Sequence, residues 1–172
     1  DNPELILALS PQPQVILKVN PEMGTNPEEL ERKTGIPVVA MRYGDLGLKR
    51  QDFYAALRTF GEVLGRQERA EAVIAFFDAH IADLEKRVAG LPDAAQPGVY
   101  VGGVAYKGPQ GFTSTEPGYP PFLFLHVRNL AAAGLSSGQT SVAKEKIVEW
   151  NPDVLFLDLA TLQMGEGAGG LN

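Results

Sequence analysis

Apolar positions change period several times along the chain, and each change marks an element. Val15, Ile16, Leu17 and Val19 form a short apolar run of the kind that makes a buried strand, and residues 36–41 form a second one. Between them, Asn26-Pro27-Glu28-Glu29 predicts a helix start: a capping asparagine, a proline at the first helical position and acids at the positive end of the dipole. Gly35 then supplies the left-handed residue that closes the helix. Asn2-Pro3-Glu4 carries the same signal and predicts a short helix to Ser10, stopped by Pro11 and Pro13. From Gln51 the period becomes helical, with Phe53, Leu57, Phe60 and Leu64 on one face and Gly65 as a stop. Ala70, Val73, Ile74, Phe77, Ile81, Leu84 and Val88 step by three and four residues, which predicts a long helix over residues 67–89.

The second half repeats the alternation. Residues 90–98, with Pro92 and Pro97, read as a linker before the strand Val99-Tyr100-Val101. Residues 102–121 are rich in Gly, Pro, Ser, Thr and Tyr without a period, which predicts a long ordered loop of the kind that carries function. Helices over 122–133 and 142–150 and a strand over 154–159 follow. Short strands alternating with helices define an α/β class. The expected architecture is two partial three-layer α/β/α lobes with mainly parallel sheets. Residues 1–50 form the N-terminal lobe, 51–90 a helical connection containing the long interlobe helix, and 91–172 the C-terminal lobe. Glu4 precedes Pro11 by seven residues and Glu145 precedes Pro152 by seven, each before a strand, so the two acids are expected at equivalent places on related lobes.

Composition narrows the chemistry. In 172 residues the net charge is −6, so no basic field exists to hold a nucleic acid. The absence of cysteine excludes disulfides, thiolate catalysis and Cys-ligated metal sites. His80 and His126 belong to no metal-binding spacing and are expected to be structural or surface residues. No nucleophile elbow or phosphate loop occurs, so no catalytic residue, metal ligand or bound cofactor is assigned. Gly165-Glu166-Gly167-Ala168-Gly169-Gly170 satisfies a dinucleotide-binding pattern by spelling, but lacks the following helix that would hold a phosphate, and is expected to be a flexible tail. Asp1 opens directly on a helix start and the glycine-rich end follows a strand, so the chain is expected to be a piece of a longer protein.

Six residues are candidate ligand contacts. Arg42 and Tyr43 follow a strand, where open α/β sheets bind ligands, while Tyr106, Lys107, Thr115 and Tyr119 lie on the long loop and offer aromatic faces, a cation and a hydroxyl. Arg42 and Lys107 favour an anionic ligand. Glu4 and Glu145 are first-turn acids that stabilise their helices, and one acid per lobe also suits docking onto arginines of a two-fold partner.

Asn2-Pro3-Glu4-Leu5-Ile6-Leu7-Ala8-Leu9-Ser10-Pro11, Thr34-Gly35-Ile36-Pro37-Val38-Val39, Phe60-Gly61-Glu62-Val63-Leu64-Gly65 and Lys144-Glu145-Lys146-Ile147-Val148-Glu149-Trp150-Asn151-Pro152-Asp153-Val154 resemble segments of the helical-backbone periplasmic substrate-binding proteins. Those proteins serve ABC importers of iron–siderophore complexes, haem and cobalamin. The resemblance implies a metal chelate (iron–siderophore, haem, corrinoid or oxyanion) held between two lobes. It also implies a periplasmic or extracellular location, with a lipid anchor on the full-length protein. Glu4 and Glu145 fall on the family's permease-docking acids, and the segment 102–108 with Ser114-Thr115 falls near its cleft. Ala143 stands where the family often has Ser, and Gln12 and Gln14 near its usual Pro-Asp. Complete members are longer at both ends, so exposed sheet edges and dimerisation are expected of the chain alone. The alternatives are a metal-cofactor enzyme or assembly factor on a nitrogenase-like fold, and a non-catalytic interaction domain.

Overall fold

Asparagine caps start the first helices in the computed structural model, which describes residues 1–92, 96–133 and 138–164. Asn2 Oδ1 accepts from the N–H groups of Glu4 (3.1 Å) and Leu5 (3.2 Å) and opens α1 (Pro3–Leu7). Asn26 does the same for α2 (Pro27–Thr34), accepting from Glu28 at 2.9 Å and Glu29 at 3.3 Å, and Gly35 closes it at φ 67°. α1 is shorter than expected. Pro11 has no N–H to give the Leu7 carbonyl, and its ring crowds the preceding turn, so the helix ends there.

The chain divides into two units, Asp1–Phe77 and Asp78–Asn172. In the first, β1 (Ile16–Lys18) pairs in parallel with β2 (Val38–Ala40), Leu17 opposite Val39. α3 (Arg50–Val63) and the first part of α4 (Gln67–Val88) follow. Leu30 of α2, Tyr54 and Ala56 of α3, and Ala70 and Ile74 of α4 are buried. Phe53 meets Phe77 edge-on at 5.7 Å, closing α3 on α4.

In the second unit, β3 (Gly98–Gly102) is buried along its whole length. It lies between β5 (Arg128–Asn129) and β7 (Val154–Leu157), all parallel, in the order β5-β3-β7. A strand covered on both faces and both edges carries apolar residues without alternation, which is why Gly-Val-Tyr-Val-Gly sits here. Val99 and Val101 pack with Phe122 to form the core. α6 (Lys144–Trp150) ends on Asn151 in the left-handed region, φ 47°. Asp153 then clasps the strands: its N–H donates to the Gly98 carbonyl at 2.8 Å, and its Oδ2 accepts from the Gly98 N–H at 2.6 Å.

The segment expected as one helix over 122–133 is three pieces: α5 (Pro120–Phe124), β5, and a 3-10 turn at Leu130–Ala132. His126 turns the chain at φ 50°, and residues 128–129 then pair with β3. Tertiary pairing wins because Phe122-Leu123-Phe124-Leu125 is a short apolar run without a period of its own. The loop over 102–121 contains β4 (Ser114–Thr115), which pairs antiparallel with β6 (Thr140–Ser141). Residues 93–95 of the expected linker, and the glycine-rich pattern at 165–170, lie outside the described residues.

Candidate ligand-binding site

Each unit opens a cavity beside the carboxyl ends of its parallel strands. In the first unit, a cavity of about 310 Å³ is lined by residues that include Asn20, Glu22, Arg42, Tyr43, Lys49 and Asp52. Arg42 and Tyr43 directly follow β2, so strand pairing sets their backbone: the Met41 N–H still donates to the Lys18 carbonyl at 2.9 Å. Arg42 is not a free cation. Its Nε donates to Glu22 Oε1 at 2.9 Å and its Nη2 donates to the same oxygen. Arg42 holds the Glu22 carboxyl below the usual carboxylate range. Asp45 shapes the rim by accepting from the N–H groups of Gly47 (2.8 Å) and Lys49 (3.0 Å). Three acids, Glu22, Asp45 and Asp52, face two bases, Arg42 and Lys49. The anion preference expected from Arg42 is therefore offset within its own cavity.

In the second unit, a cavity of about 240 Å³ is lined by Val101, Val104, Ala105, Tyr119, Phe156, Leu157 and Asp158. Five of these seven residues are apolar, and Tyr119 and Asp158 add polar groups, a mixture that suits a small-molecule ligand. Tyr119 is fixed by an edge contact with Phe122 at 5.0 Å. Asp158 caps the 3-10 turn at Leu159–Gln163, accepting from the Ala160 N–H at 2.8 Å.

Of the six expected contacts, Arg42 and Tyr43 share the first cavity and Tyr119 lines the second. Tyr106 and Lys107 are exposed on the loop, with the Lys107 ammonium 5.3 Å from the Tyr106 ring centre, and neither lines a described cavity. Thr115 is fully buried, so its hydroxyl does not face solvent. Beneath the loop, the Tyr100 hydroxyl donates to the Phe112 carbonyl at 2.9 Å, and Thr115 Oγ1 finds no hydrogen-bond partner among the described residues. Burial pushes the Tyr100 hydroxyl up to about 12. Within the loop Ser114 Oγ donates to the Val104 carbonyl (2.6 Å), and from outside it Thr161 Oγ1 donates to the Gln110 carbonyl (3.0 Å).

Sequence reasoning missed Glu22, Asp52 and Asp158. Glu22 lies 20 residues from its partner Arg42, and no local signal marks that pairing. Asp158 was legible in principle, as a polar residue at the carboxyl end of an apolar strand. Among the described residues no group of three or more His, Asp or Glu is placed to hold a metal ion, and no helix is long and apolar enough to cross a membrane.

The chain matches the Periplasmic binding protein family over residues 2–168, and it belongs to that family. No curated protein sequence matches it. Among solved structures it is similar to the periplasmic haem-binding protein HutB of Vibrio cholerae, with 17% identity and a TM-score of 0.67 over 97% of this chain and 62% of that one. An ABC-type Fe3+-hydroxamate transport system from Saccharomonospora viridis is 27% identical, with a TM-score of 0.54 over 90% of this chain and 52% of that one. Molybdate-bound MolA of Haemophilus influenzae is 19% identical, with a TM-score of 0.64 over 90% of this chain and 50% of that one. The chain thus spans between 50% and 62% of the length of these three structures. Its fold is that of the class III periplasmic binding proteins, an α/β architecture with parallel sheets.

Proposed function

We propose that the chain is part of the extracytoplasmic substrate-binding component of an ABC importer, and that it captures an iron chelate or a similar metal complex. The observation that carries this reading is the family match across nearly the whole chain. A cavity at the carboxyl ends of the parallel strands in each unit supports it. The similar structures bind haem or molybdate or serve Fe3+-hydroxamate transport, which supports a metal complex as the cargo class. The proposed contacts are Arg42 and Tyr43 in the first unit and Tyr106, Lys107 and Tyr119 in the second. Residues 1–50 and 91–172 are the two partial lobes, with 51–90 connecting them. Glu4 and Glu145 dock the protein onto arginines of the permease. Capture and delivery need no chemical step, so the protein is not an enzyme. The exposed edge of β7 also lets two copies of the chain associate.

The test is a thermal-shift screen of this chain and of its full-length parent against ferric siderophores, haemin, cobalamin and molybdate. A ligand that binds only the folded state raises the melting temperature, by an amount equivalent to about 2.7 kcal/mol at one hundred times its Kd. A saturable rise with an iron chelate is expected. Silence of both proteins toward all four ligands would overturn the cargo class.

A further inference from the structure

Glu4 and Glu145 differ from two nearby helical acids, Glu29 and Glu149. On α2, Glu29 is paired with Lys33 at 2.7 Å; on α6, Glu149 is paired with Lys146 at 2.8 Å. Lys146 is also drawn toward the Trp150 ring, its ammonium 5.9 Å from the ring centre. Glu4 and Glu145 are exposed, and among the described residues neither carboxylate has an ion-pair or hydrogen-bond partner. An exposed carboxylate without a partner of its own is available to a cation from elsewhere.

Each acid is also followed, three residues on, by an exposed aliphatic side chain. Leu7 is 43% exposed on α1 and Val148 is 77% exposed on α6. Residues three apart on a helix lie on one face, so carboxylate and aliphatic group form a single patch in each unit. In the first unit the patch is concave. Asn2, Pro3, Glu4, Leu7 and Lys33 line a depression of about 460 Å³, and the Lys33 charge there is already met by Glu29.

We propose that each docking acid is half of an acid–aliphatic couple, Glu4 with Leu7 and Glu145 with Val148, which receives an arginine side chain of the membrane permease. The guanidinium meets the carboxylate, and the arginine's methylene stem lies on the aliphatic group. An arginine stem covers apolar surface while its head stays hydrated, so both parts of the side chain are used. The aliphatic contact removes water from the rim of an ion pair that is otherwise worth little on an open surface. This inference rests on the docking reading above and adds to it the two residues that sequence resemblance does not mark.

The experiment measures binding of the ligand-free full-length protein to the permease of the same transport system in lipid nanodiscs, at low and high salt. Leu7→Ser and Val148→Ser are each expected to weaken binding by about 3–10-fold, with the salt dependence unchanged. Glu4→Gln and Glu145→Gln should weaken binding and flatten the salt dependence, because they remove a charge. Leu5→Ser, a change at a more exposed neighbour on α1 (66% against 43% for Leu7), should bind as the unaltered protein does. Leu7→Met and Val148→Ile keep the apolar surface and should restore binding, which separates docking from loss of fold; failure to restore it overturns the couple. If the glutamine variants bind normally, the docking reading itself fails. If they lose binding while the serine variants do not, the acids dock alone and the couple is overturned. A change in self-association of the serine variants, with permease binding intact, also overturns it by assigning the patches to a second copy.

Discussion

Gly103 stands directly after β3 at φ 77°, and a methyl group there would lie 1.9 Å from Thr161 Oγ1. Gly108, further along the same loop at φ 128°, has open space where its side chain would be. Backbone conformation burdens both positions, but only Gly103 adds a clash with a buried side chain. Gly108→Ala should therefore cost about 1–2 kcal/mol of stability, and Gly103→Ala a further ~1–3 kcal/mol. Urea titration followed by Trp150 fluorescence reports this unit, since Trp150 is the single tryptophan and its ring lies 6.3 Å from that of Tyr100. Equal losses would show that Thr161 can move aside. Legibility at this scale follows the range of the interaction. The caps Asn2 and Asn26 bond to residues two and three positions on, so the sequence displays both partners together. Lys18 is 7% exposed, bonded to Asp1 and, at 2.6 Å, to the Met23 carbonyl; nothing in an apolar run announces a buried lysine.

Elements whose burial is one-sided and regular were legible. The inward residues of α4 are the ones its period marks: Ala70, Ile74 and Ile81 are buried, and Val73, Phe77, Leu84 and Val88 half-buried. α5 and β5 were not legible, because a two-residue strand exists only through its pairing with β3, 30 residues earlier. β7 presents the opposite problem, a strand with apolar residues and too few neighbours. It stands at the edge of its sheet, and Val154, Leu155 and Phe156 are 39%, 45% and 49% exposed, so neither face is fully covered. Such an edge is a template for pairing with another strand. The chain is therefore expected to sediment as a dimer that dissociates on dilution. Leu155→Lys, which places a charge on the edge strand, should give a monomer at every concentration. A chain that is monomeric without the substitution would remove this role from β7.

At the scale of the whole chain, the resemblance was carried by helix starts and strand entries, which local physics writes into consecutive residues. The ligand contacts were less legible because they come from loops, where position is set by bonds such as Arg42 to Glu22 and Thr161 to Gln110 that join distant residues. The proposed function makes the two sets of contacts serve one ligand, which has a consequence for counting. Titration calorimetry of the full-length protein with the ligand found by the thermal screen should give one site per chain. Arg42→Ala in the first unit and Tyr119→Ala in the second should each weaken that one site by about tenfold, the loss of roughly 1.4 kcal/mol expected for a contact of middling strength at an interface. Arg42→Ala carries a second expectation, because it leaves the Glu22 carboxylate without its partner in the cavity. An anionic ligand should lose more affinity than a neutral one, since it meets the freed charge as well as losing the cation. Two sites per chain, or a single site sensitive to only one of the substitutions, would assign the ligand to one unit and leave the other cavity without a part in capture.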